Sequence, residues 1–178
     1  TQYLGPTKSS SSKLEPDRLP PEVEQQEVLE LINRKFGKSK TPTSFDLPGC
    51  GIVLIHAFLT SYFKALGWTV DDQFIDESSQ LKALYSLVHL AGLKDPGEEQ
   101  LVLFKIICGV PIETPIPSSV EFTDRERESF TELLEAVLKY WDALGGSSPE
   151  GLQEAFLSRR GHLSQGSTGW NLKVEPFI

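Results

Sequence analysis

Six short segments with apolar residues at helical spacing restrict the fold of this chain. They are separated by prolines and glycines, the residues that most often mark where a helix starts and stops. Asp76 to Ser79 offer N-cap choices for the third segment, and Asp95, Thr123 and Ser148 stand where the fourth to sixth segments need an N-cap. The predicted helices cover residues 22–36, 50–66, 76–92, 95–108, 123–141 and 148–160.

The end of the chain changes from helical to strand periodicity. Trp170, Leu172 and Val174 alternate with polar residues, and turn-forming residues occupy 165–169, which predicts a terminal hairpin. The expected fold class is therefore mainly α: a compact bundle of about six helices with a small C-terminal β-hairpin, a minor α+β element. A hydrophobic content of 39% in 178 residues is enough to give such a bundle a core.

Composition divides the chain into three expected parts. Residues 1–21 contain four consecutive serines and several prolines, which predicts a flexible linker or tail. Residues 22–48 are expected to form an N-terminal helix and a loop. Residues 49–178 are expected to form a helical docking domain ending in the hairpin. The absence of methionine and the apolar last residues indicate a processed or truncated chain.

The charge of the chain limits its partners. A net charge of −8 and a pI near 4.9 argue against binding to nucleic-acid phosphates or to anionic lipids. The longest apolar run, residues 51–59, is far shorter than the roughly 20 residues that a membrane helix needs. We therefore expect neither a nucleic acid nor a membrane as partner.

The residues with catalytic or metal-binding chemistry do not form a known motif. His56, His89 and His162 lack metal-ligand spacing, and Cys50 and Cys108 lie in apolar stretches. Reduced, buried thiols are the favoured interpretation, with a disulfide as the alternative. No metal, no cofactor and no enzymatic activity is expected.

Several ordered strings between Gly49 and Glu175 resemble the tape-measure proteins of bacterial contractile injection systems, which are phage-tail-like particles. Ala57 and Gln153 depart from the family pattern, where a proline and an arginine are usual. An apolar segment that follows the last strand in the family is missing. The matching strings are Gly51-Ile52-Val53-Leu54-Ile55 with Phe58-Leu59; Pro96, Leu101-Val102-Leu103, Lys105, Cys108-Gly109 and Pro111; Trp141, Gly151-Leu152, Phe156-Leu157, Arg159 and Gly161; and Gly169-Trp170-Asn171-Leu172-Lys173-Val174-Glu175.

The resemblance implies a structural protein that lies in the inner tube of the particle and helps to set tube length. It implies inner-tube, baseplate-hub or spike proteins as partners, with a three-fold or six-fold homo-oligomer as a further expectation. The implied location is the bacterial cytoplasm during assembly and then the particle lumen. A ruler needs length, about 1.5 Å per helical residue, so a compact domain is expected to dock at one end while the measuring segment lies elsewhere.

Two alternatives stand beside this hypothesis: a plug or adaptor protein of the same particle without length control, and an unrecognised hydrolase or transferase. The enzyme alternative needs a pocket where His56 or His89 meets a cysteine and a carboxylate. The candidate partner-docking residues are Lys105, expected on a helix surface, Arg159, Arg160 and Trp170. Compensation of a helix dipole is the favoured interpretation of the two arginines, and a place in the core is the favoured interpretation of the tryptophan.

Overall fold

The computed structural model of this chain describes residues 44–144 and 146–176. The predicted linker of residues 1–21, the predicted first helix of residues 22–36 and the start of the following loop lie outside the described residues. All of the structure below belongs to one compact unit, Thr41–Ile178.

Five α-helices lie in the described residues. They are α1 (His56–Ala65), α2 (Glu77–Leu90), α3 (Val102–Ile107), α4 (Asp124–Tyr140) and α5 (Pro149–Leu152). Short 3-10 turns occur at Cys50–Ile55, Glu98–Gln100 and Asp142–Leu144, and a π-helical turn, Gln153–Leu157, follows α5.

Two small antiparallel sheets accompany the helices. The first has the strand order β1 (Ser44–Leu47), β4 (Gly161–Gly166) and β5 (Gly169–Val174), and the second pairs β2 (Thr69–Val70) with β3 (Gln73–Phe74). The predicted terminal hairpin is confirmed, because Gln165 pairs with Trp170 and Gly166 with Gly169.

The expectation of a compact six-helix bundle is wrong, although the chain is mainly helical and ends in a hairpin. Residues 50–66 do not form one helix but a 3-10 turn followed by α1, and residues 148–160 change to π geometry after Leu152. The segment predicted to be a loop contains β1, which pairs with β4 and adds a third strand to the hairpin. Tertiary contacts explain both breaks: a Cβ on Gly51 would lie 1.7 Å from the Phe156 carbonyl oxygen, so the two backbones pack directly against each other.

Hydrogen bonds confirm the predicted N-caps Thr123 and Ser148 and show that Asp76 is the cap among the choices at residues 76–79. Asp76 accepts from the Ser79 amide at 2.7 Å, Thr123 from Glu126 at 3.2 Å and Ser148 from Gly151 at 3.0 Å. Asp95 is not a cap: its φ is +42°, and Gly97 opens the next turn instead. The first three side chains therefore fix where α2, α4 and α5 begin.

The core is built around α2, whose Ala83, Leu84, Leu87 and Leu90 are completely buried. Cys50 and Cys108 are free thiols inside this core, which confirms the favoured interpretation of reduced, buried cysteines. No helix in the described part of the chain is long and apolar enough to cross a membrane.

Candidate docking surface

A groove of about 560 Å³ lies between α1 and α4. The volume is within the range typical of binding sites in proteins. We call it the α1–α4 groove, and its walls include Ala57, Ser61, Ala65, Arg125, Glu126 and Glu132.

Small residues form the α1 wall of this groove. Ala57, Ser61 and Ala65 recur at every fourth position and are all exposed. Residues four apart share one helix face, while Leu59 and Phe63 bury the other side of α1 in the core. The packing that holds α1 in place therefore leaves a flat strip of small side chains open to a partner.

A buried hydrogen-bonded chain lies at the floor of the groove. The Ser129 hydroxyl donates to the Glu126 carbonyl, so the Tyr62 hydroxyl donates to Ser129 Oγ, at 2.8 Å. Burial raises the pKa of Tyr62 to about 12. These groups are already satisfied, and they hold α1 and α4 at a fixed separation.

The Glu126 carboxylate is only half satisfied. Its Oε1 accepts from Lys82 Nζ at 2.8 Å, and its side chain is 12% exposed. Its Oε2 is buried and has no hydrogen-bond partner among the described residues. A buried acceptor without a donor is unfavourable, and Glu126 lines the groove, so rotation of its carboxyl group toward a ligand's donor would be favourable.

The outer rim of the groove carries an ion pair and an exposed aromatic residue. Arg125 Nη1 lies 2.8 Å from Glu132 Oε1, and both side chains are more than half exposed, so the pair adds little stability and is free to exchange partners. Tyr140 is 73% exposed and packs edge-on against Phe58, with ring centroids 5.3 Å apart. The rim therefore offers charge and apolar area side by side.

Lys105, predicted to lie on a helix surface, is buried, so that expectation is wrong. Its side chain is 3% exposed, and Nζ donates to Glu98 Oε1 and to the carbonyl oxygens of Ile112 and Thr114. The amine turns inward because the loop of residues 110–120 folds over α3 and offers it these acceptors. Lys105 stabilises the loop and has no exposed charge for a partner.

The other three candidate docking residues lie near the three-stranded sheet but do not converge. Trp170 packs against Phe45 at the turn end of the hairpin. Arg160 precedes Gly161 at the opposite end, about 16 Å away at the rise of a strand, and its carbonyl accepts from the Glu175 amide. Arg159 lies over the Phe156 ring at 4.8 Å. These residues do not form a single patch.

The cysteines and histidines do not form the arrangement that the enzyme alternative requires. Burial raises the pKa of Cys50 to about 11 and raises that of Cys108 further, which disfavours the reactive thiolate. The cavities beside His56 and His89, about 260 Å³ each, have no cysteine among their described lining residues. No group of three or more potential metal ligands occurs in the part of the chain that the structure describes.

The groove was not predicted from the sequence. The signal is the four-residue spacing of Ala57, Ser61 and Ala65, which the prediction of one continuous helix over residues 50–66 does not use.

The chain was compared with protein families, curated proteins and solved structures. The model of one family, described as contractile injection system tape measure protein, matches residues 2–177. No curated protein and no solved structure matches.

Proposed function

We propose a role in particle assembly from one premise: the chain belongs to the contractile injection system tape measure protein family. Proteins of this kind are structural components, so the function rests on binding. In our proposal this domain docks inside the inner tube or at the baseplate or spike, and through that contact helps to set tube length.

The short helices and antiparallel strands of the domain limit how it could contribute to tube length. The longest helix in the described residues, α4, has 17 residues and spans about 25 Å. The other described helices are shorter, and the sheet folds the chain back through antiparallel strands. A unit of this kind supports the role of an anchor for a measuring segment better than that of the measuring segment itself.

The proposed partners are inner-tube, baseplate-hub or spike proteins. The charge of −8 supports protein partners over nucleic acid. The proposed location is the bacterial cytoplasm during assembly and the particle lumen afterwards, and assembly with three-fold or six-fold symmetry belongs to the same proposal. A cofactor has no part in it.

Deletion of the encoding gene tests the proposal, with tube lengths measured by electron microscopy. We expect the tubes that still form to have a broad length distribution, and complementation should restore the narrow distribution. Normal numbers of particles of normal length would contradict the proposal.

The compact fold also favours a second candidate, a plug or adaptor without length control. The same experiment separates the two functions. A plug or adaptor would change the yield of particles while the surviving tubes keep their normal length.

A further inference from the structure

We propose that the α1–α4 groove binds an amphipathic α-helix of another particle protein, and that a lysine or arginine of this helix donates to Glu126. The inference rests on the proposed function and adds which surface docks and what chemistry the partner presents.

The shape of the groove fits a helix. Two helices form its walls, and Ala57, Ser61 and Ala65 let a third backbone approach α1 closely, since helices pack at 8–10 Å depending on the side chains between them. Tyr140 and Phe58 extend the apolar surface at one end of the groove. A partner helix would place apolar side chains at i and i+4 along this line.

The two carboxylates that line the groove, Glu126 and Glu132, favour a basic residue on the partner. Glu126 Oε2 is buried and lacks a donor among the described residues, and Lys82 already occupies Oε1. At the rim, Glu132 is held only by an exposed pair with Arg125. A lysine or arginine entering the groove would meet Glu132, and rotation of the Glu126 carboxyl group toward it would satisfy the second oxygen, whereas an acidic partner would be repelled.

Photo-cross-linking in assembled particles tests the occupant. The full chain carries a photoreactive amino acid at the position of Ser61 in the groove, or at the neighbouring, exposed Thr60 outside it as the matched control. We expect Ser61, and not Thr60, to cross-link to a basic, helical segment of one tube, baseplate or spike protein. Ser61→Trp, which fills the groove, should reduce incorporation of the chain into particles by about tenfold or more, while Thr60→Trp should not.

A charge-reversal pair tests the basic character of the partner. Glu132→Lys and Glu135→Lys change the net charge equally and both alter exposed residues of α4, but only Glu132 lines the groove. We expect Glu132→Lys to reduce the Ser61 cross-link by about tenfold and Glu135→Lys to leave it unchanged. Thermal unfolding of both variants shows that each is folded.

Three outcomes would overturn the inference. Cross-links between two copies of this chain, detected with mixed isotope labels, would assign the groove to self-association. A chain that is present in particles but gives no cross-link from Ser61 would remove the docking site and leave the proposed function intact. A chain that is absent from particles, with no assembly defect on deletion, would remove both.

Discussion

Replacing Lys105 with methionine should release the loop of residues 110–120 from α3. Lys105 Nζ donates to Glu98 Oε1 at 3.0 Å, to the Ile112 carbonyl at 3.0 Å and to the Thr114 carbonyl at 2.9 Å. Glu98 Oε1 in turn accepts from the Ile116 amide at 3.0 Å. Methionine preserves the apolar stem but donates no hydrogen bond, so the Ile112 and Thr114 carbonyls lose the lysine donor and Glu98 Oε1 keeps only the Ile116 amide.

The magnitude follows from two opposing terms. Hydrogen bonds to a charged group contribute about 1.5–3 kcal/mol each, which would give roughly 5–9 kcal/mol for three. Burial of the ammonium opposes this by several kcal/mol, and water can reach the exposed Thr114 once the loop moves. We therefore expect Lys105→Met to lower the free energy of unfolding by about 2–4 kcal/mol.

Urea unfolding followed by tryptophan fluorescence measures the loss, and hydrogen exchange of the Ile116 amide reports on the loop. The matched control is Lys94→Met, the same change at an exposed lysine, which should stay within about 0.5 kcal/mol of wild type. The reasoning is refuted if both variants are equally stable, or if Lys105→Met leaves the Ile116 amide as protected as before.

The pH dependence gives the same contact a second readout. The hydrogen bond from Lys105, followed by that from the Ile116 amide, lowers the pKa of Glu98 below its ordinary value of 4.5. The unfolded chain binds this proton first, so the stabilisation is present above pH 4.5 and is lost as the pH falls through the lowered pKa. Lys105→Met and Glu98→Gln should each reduce this acid-dependent loss in urea titrations; an unchanged slope in both would contradict the assignment.

Three further changes test the fold. Gly51→Ala places a Cβ against the Phe156 carbonyl and should destabilise by about 3 kcal/mol in thermal unfolding. Gly151→Ala in α5, where the nearest atom to the new Cβ is Ser148 Oγ at 3.3 Å, should change the stability by less than about 1 kcal/mol; equal effects would contradict this packing. Burial lowers the pKa of His89 from 6.5. The stability that the neutral imidazole contributes is present above pH 6.5 and should be lost as the pH falls through the lowered pKa. His89→Phe should abolish this pH dependence of stability, and a variant that keeps the dependence would assign it to another group. Thr123→Ala should cost about 1 kcal/mol by urea unfolding through loss of the α4 cap, while Thr123→Ser should retain most of it.

Local signals in the sequence predicted local structure well. The caps Asp76, Thr123 and Ser148 accept the amides three residues ahead, because capping depends on neighbours in sequence. The terminal hairpin follows from alternation and turn residues for the same reason. These signals do not require knowledge of the rest of the fold.

Contacts between distant parts of the chain were not predictable in this way. Phe45 of β1 pairs with Leu163 of β4, and the short strand lies between prolines that favour a loop. The helix break after Leu152 depends on the close approach of Gly51 to Phe156. Both features need a partner more than 100 residues away, which periodicity in a short window cannot reveal.

Burial separates residues that stabilise the fold from exposed residues that could bind a partner. Lys105 and Cys108 belong to one of the strings that carry the family resemblance, yet both are buried in this structure. Ala57, in contrast, departs from the family pattern and lies in the groove. A particle defect caused by Lys105→Met would therefore report a weakened fold, and should appear together with reduced stability. A defect caused by Ser61→Trp with unchanged unfolding would report a lost contact, because Ser61 is exposed and its replacement leaves the core untouched.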